Sequence, residues 1–171
     1  MSTKATNPKK PTTVVLGLLP FAGPILFVIS EIVTLFVTGT DDLLFYTTMN
    51  AVLLLIGSQA LGGAIGHIFF GPPIARSIGW QPGPFQFEVG AANAAIGVSA
   101  IVMAAAFPPV TWLGPIIAAL VFLWLAGIGH IRDIVRNKNF SINNAGPILF
   151  LDFLVPALTL ALWIWLMASG G

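Results

Sequence analysis

The sequence predicts an all-α integral membrane protein of five transmembrane helices, and three observations carry that expectation. Hydrophobic residues make up 57% of the 171 and charged residues only 8%, with mean hydropathy +0.95; that is too little polar surface to coat a soluble globule. Five apolar stretches, 14–38, 50–70, 86–107, 111–131 and 147–168, approach the ~20 residues a helix needs to cross ~30 Å of hydrocarbon. These runs and their short connections consume nearly the whole chain. They read as one domain over 14–168, between a polar tail of 1–13 and a short exterior C-terminus of 169–171.

The first run follows three lysines, as a signal peptide would. It is too long for a signal core and has no small-x-small cleavage site behind it, so it reads as a retained helix. It carries Pro20, Pro24 and then Glu31, which lies roughly 25 Å up the span at ~1.5 Å per residue. Glu31 there faces an outer cavity or pairs with a hydroxyl such as Thr48. The connection 38–48 holds Asp41, Asp42 and Tyr46 and reads as an exterior loop. Span two is rich in small residues toward its inner end (Ala60, Gly62, Gly63, Ala64, Gly66), which permits close helix packing in lipid.

The segment 71–84 (GPPIARSIGWQPGP) holds four prolines and three glycines, so it is not a continuous helix, and Trp80 suits the inner interface. Span three, also rich in small residues, belongs at the centre of the bundle. Phe107-Pro108-Pro109 forms a tight outer turn with Trp112 as an interfacial anchor. Span four carries Trp124, as packing or lipid contact, and span five has Pro156 inside it and Trp163 and Trp165 toward its outer end.

Charge gives the orientation. Every cation lies in the tail (Lys4, Lys9, Lys10), in the loop after span two (Arg76), or at the end of span four and just beyond (Arg132, Arg136, Lys138). With five spans these segments share one side, and the other side carries Asp41 and Asp42. The positive-inside rule then puts the chain in the cell (inner) membrane with a cytoplasmic N-terminus and an exterior C-terminus. The absence of cysteine excludes iron–sulfur clusters, c-type haem and thiol catalysis, and the scattered basic residues exclude nucleic acid as a partner.

The polar residues inside the spans form a pattern. His67 precedes Glu88 by 21 positions and His130 precedes Asp152 by 22; each histidine follows a glycine and precedes an isoleucine near the inner end of a span. All four fall in one inner-leaflet layer. Spans two to five are therefore expected to bundle around it with span one at the side. The pairing also raises a parallel internal repeat, spans two and three matching spans four and five. Gln59, Gly63 and His67 follow one another at intervals of four on one helical stripe; Asn93 could meet it from span three, and Asp133 could join if span four continues.

Ionisable groups at membrane depth are costly and mark sites by default. Three chemistries suit this layer. His67, Glu88, His130 and Asp152 offer a mixed N/O ligand set for iron, manganese or zinc. His67 and His130 could instead be axial ligands of a b-type haem. Without a metal, histidine beside a carboxylate serves as a proton relay or substrate anchor. A structural reading stands beside these: the pairs satisfy each other, and Glu88 and Asp152 suit the first turns of helices whatever their function.

The stretch GHIFFGPPIARSIGWQPGPFQFEVGAANAAIG resembles a family of small prokaryotic membrane proteins with no assigned activity, which combine a Gly-His helix end, a Pro-rich loop and a P-F-Q-x-E-x-G stretch. The resemblance covers 62–97, with GIGH and NNAGPILFLDFLVP in support, and implies no catalytic residue. A looser likeness to DoxX-like four-helix membrane proteins rests on size and topology alone. The functional expectation is an inner-leaflet His/carboxylate site binding a metal, cofactor or protonatable ligand in redox or transport chemistry. The alternative is an accessory subunit of a larger membrane complex, or a homo-oligomer, in which the polar cluster is packing glue.

Overall fold

The computed structural model describes residues 11–170, with side chains described from Phe21 onward. Lys4, Lys9, Lys10 and most of the 1–13 segment lie outside the described residues, as do the side chain of Pro20 and residue Gly171. The described chain is all helix and turn, with five helices long and apolar enough to cross a membrane.

Helix α1 (Pro11–Thr38) ends in a turn through Gly39 and Asp42, both in the left-handed region at φ 64° and 52°. Helix α2 (Leu43–Phe69) starts earlier than hydropathy predicts, because Thr47, Thr48 and Asn50 in its first turns each find a partner. Thr48 Oγ1 donates to the Leu44 carbonyl at 2.7 Å, Thr47 Oγ1 to Glu31 Oε2 at 2.5 Å, and Asn50 Nδ2 to Glu31 Oε1 at 2.9 Å. Glu31 thus pairs with Thr47 and Asn50 rather than Thr48, and ties α1 to α2. Over Ala51–Ser58 the ladder of α2 widens to π-helical, a variation that recurs at functional sites.

Helix α3 (Gly71–Ile78) occupies the first half of the Pro-rich segment. Pro72 and Pro73 fit there because the first turn needs no donated N–H, and Gly79 ends the helix at φ 84°. Helix α4 (Phe85–Ala106) runs back, and a short 3-10 turn (Pro109–Trp112) leads into α5 (Leu113–Asn137). Trp112 is not an interfacial anchor. It is 1% exposed, and its indole N–H donates to the Met103 and Phe107 carbonyls, both at 3.0 Å, which closes the end of α4. Helix α5 runs seven residues past His130 before Lys138, at φ 56°, stops it. A single turn, α6 (Ile142–Ala145), precedes α7 (Pro147–Ala168), which contains Pro156.

Close approach is built into two antiparallel pairs. In the α2/α4 pair a Cβ on Gly97 would meet the Gly57 carbonyl at 2.9 Å, and one on Gly90 would meet the Ile68 amide at 3.1 Å. In the α5/α7 pair a Cβ on Gly127 would strike the Phe153 ring at 2.6 Å. The pairs join through one core: Val52, Ile56 and Ala60 of α2, Ile96, Ala100 and Ala104 of α4, and Trp112, Ile116, Ala119 and Leu166. Chain direction places that core in the half of the bundle toward Asp41 and Asp42. Toward Arg76 and Arg132, here called the basic end, the pairs are held apart and enclose a cavity.

Candidate functional site

The cavity has a volume of about 440 Å3, within the ~300–1,000 Å3 of small-molecule sites. Its floor is the top of the core: Ile56, Ala60, Ile96 and Ala119 belong to both. Its walls are apolar side chains of α2, α4 and α5, and its polar groups are Gln59, His67, Ser77, Trp80, Asn93, His130, Asn143 and Asp152. Leu125 lines it and is 63% exposed, so the cavity reaches the apolar outer surface of α5.

Both histidines are held the same way. His67 Nδ1 lies 2.5 Å from Gln86 Oε1, and His130 Nδ1 lies 2.7 Å from Asn144 Oδ1. An amide oxygen only accepts, so each Nδ1 carries a proton, and in the neutral ring Nε2 then keeps the lone pair. Asn144 is fully buried, and its own amide donates to the Asn139 carbonyl at 2.8 Å, which fixes which way it faces.

Trp80 stacks on His130 with ring centroids 5.6 Å apart and planes at 26°. Its indole N–H donates to Asp133 Oδ2 at 2.9 Å, and Asp133 also accepts from Asn137 and Asn139, each at 2.6 Å. Asn139 and Asn143 reach across to the Ile78 carbonyl and to Ser77 Oγ at 2.8 and 3.0 Å. These bonds lace the 70–84 connection to the 138–146 connection and cap the cavity at the basic end. Trp80→Phe keeps the ring over His130 but removes the donor to Asp133; it is expected to cost about 1 kcal/mol in chemical denaturation, and Trp80→Ala more.

The predicted residues do not all converge. Gln59, His67, Asn93, His130 and Asp152 line the one cavity, as the stripe through Gly63 anticipates. Glu88 does not: it is exposed, while Gln86 is buried against His67. Two helical positions differ by about 200°, so a helix that turns residue 86 inward turns residue 88 out. Asp133 acts from outside the cavity, through Trp80. Among the described residues no group of three or more His, Asp or Glu side chains is placed to hold a metal ion. The set His67, Glu88, His130, Asp152 does not come together, because Glu88 faces away from the cavity.

Asp152 is the unusual member. It is only 5% exposed, yet its Oδ2 has no hydrogen-bond partner, and His130 Nε2 at 3.8 Å is beyond bonding distance. Pro156, four residues on, lacks the N–H that the Asp152 carbonyl would otherwise accept. Gln59 Oε1 is likewise buried and unpartnered. Sequence reasoning missed Gln86, Asn144 and the capping asparagines. The amides lie 19 and 14 positions after their histidines, a less regular spacing than the carboxylates have, and they carry no charge to draw notice.

A family model described as a family of unknown function, DUF6790, matches residues 17–170. No curated protein and no solved structure matches the chain.

Proposed function

The chain belongs to DUF6790, a family of unknown function, so the site has to carry the reading, and we propose a membrane-embedded binding protein for a small, mostly apolar molecule. The observation that carries it is the roughly 440 Å3 mainly apolar cavity with His67, Trp80, His130 and Asp152 toward its basic end and its wall reaching the surface at Leu125. A ligand would enter from the hydrocarbon, lay its apolar body against Phe122, Leu125 and Ile96, and turn its polar head to His67, His130 and Asp152. The laced connections close over Trp80 and His130 at the basic end, where His130 and Asp152 are buried. The role served is movement or chemistry of that molecule within one leaflet. The charge distribution supports an orientation in which the basic end is cytoplasmic, the N-terminus inside and the C-terminus outside.

Ala126→Trp tests this, since Ala126 lines the cavity wall and a tryptophan there obstructs the cavity. Native mass spectrometry of protein extracted in mild detergent is expected to find a bound small molecule on the wild type and none on the folded variant. The same bound mass on both would overturn the reading.

A second reading, an accessory subunit or self-associating protein with the polar cluster as packing glue, draws on α1. That helix presents Ile25, Val28, Ile29, Ile32, Val33 and Phe36 outward, with only 6% of its span buried. Under that reading His67→Ala weakens assembly and removes no bound molecule.

A further inference from the structure

The unpartnered atoms of the cavity say which polar head it takes. Among the described residues three buried side-chain atoms lack a partner: Asp152 Oδ2 and Gln59 Oε1, acceptors on residues that line the cavity, and Gln86 Nε2, a donor on a residue outside the lining. Neutral His130, with its proton on Nδ1, adds a lone pair at Nε2. Several donors on the lining are already engaged: the indole of Trp80 by Asp133, Ser77 Oγ by the Ile74 carbonyl, Asn93 by the Val89 carbonyl and Asn143 by Ser77. Charge points the same way. Asp152 is the one carboxylate on the lining, and among the described residues no lysine or arginine lines the cavity.

We propose that the cavity takes a lipophilic amine in its ammonium form, with Asp152 as counter-ion. This rests on the binding reading above and deepens it. An ammonium has donors and no acceptor, the complement of this set. The spacing fits as well: a nitrogen about 2.8 Å from both His130 Nε2 and Asp152 Oδ2, themselves 3.8 Å apart, sees them at about 85°, so two of its hydrogens reach both. The ring faces of Trp80 and Phe85, whose centroids lie 6.1 Å apart, line the same end and offer the negative π-surface that cations favour. A carboxylate head would meet Asp152 as a like charge. An alcohol would place one donor and leave an acceptor of its own unmatched.

The test uses three probes that share a tail: phenylbutylamine, phenylbutanol and phenylbutyrate, titrated calorimetrically into the full-length protein in nanodiscs with empty discs subtracted. The wild type is expected to bind the amine most tightly. Asp152→Asn is expected to weaken the amine about tenfold or more while moving the alcohol by no more than about twofold. An alcohol or butyrate that binds the wild type as tightly as the amine overturns the counter-ion role and leaves the cavity reading standing. So does an amine affinity unchanged in Asp152→Asn. Binding of none of the three overturns the cavity reading with it. If Asp152→Asn does not fold, the wild-type order of the three probes decides.

Discussion

Replacing Asn144 with leucine is expected to lower the stability of the folded protein by about 2–4 kcal/mol, because it strands two buried groups at once. The His130 Nδ1–H loses its acceptor at 2.7 Å and the Asn139 carbonyl loses its donor at 2.8 Å, both inside a region where Asn144 itself is fully buried. Leucine matches the volume, so packing is not what fails. Thermal unfolding of wild type and variant in one detergent reads the loss. His130→Phe made in the Asn144→Leu background should cost less than His130→Phe alone, since the partner it abandons is already gone. Gln86→Leu is the comparison at the other histidine. His67 is only half-buried, so water can replace the lost acceptor and the loss should be smaller. Equal losses at the two positions would contradict the burial difference.

The second large effect is steric. Gly97→Leu is expected to cost about 3 kcal/mol or more and to deplete the folded fraction, because the new Cβ alone would sit 2.9 Å from the Gly57 carbonyl and 3.0 Å from the Leu61 amide. Backbone cannot swing aside as a side chain can, so α2 and α4 would have to part. They are the pair that positions Gln59, His67 and Asn93 along one wall of the cavity. The internal control is Gly129→Ala in α5, where an added Cβ meets nothing within 4 Å. That change should be neutral or stabilising by about 0.5–1 kcal/mol, the ordinary advantage of alanine over glycine inside a helix. Folded yield by size-exclusion chromatography separates the two.

The five spans were legible because hydropathy over ~20 residues reports the solvent, and no tertiary detail competes with it. Helix ends were less legible. Thr47, Thr48 and Asn50 lower local hydropathy yet lie within α2, since Glu31 and the helix backbone satisfy them. No local pattern announced the π-helical stretch of α2 either. At the site, the stripe Gln59–Gly63–His67 followed from helix period alone, and the depth of His130 and Asp152 followed from counting. Glu88 shows where counting stops. Depth is set by position along the axis, but facing is set by which neighbour in the same turn is buried, and Gln86 took that place. The histidines' amide partners come from connections whose course the sequence leaves open, so Asn144 could be found only once α6 was placed beside α5.

With only two histidines in the chain, the imidazole nitrogen spectrum of 15N-histidine-labelled protein in nanodiscs holds the signals of those two side chains alone. Titrating in phenylbutylamine is expected to shift the Nε2 resonance of His130 saturably, to shift that of His67 with it, and to leave both unmoved in Ala126→Trp. Resonances that respond to none of phenylbutylamine, phenylbutanol and phenylbutyrate, or that respond equally in Ala126→Trp, would contradict a ligand site between α2 and α5.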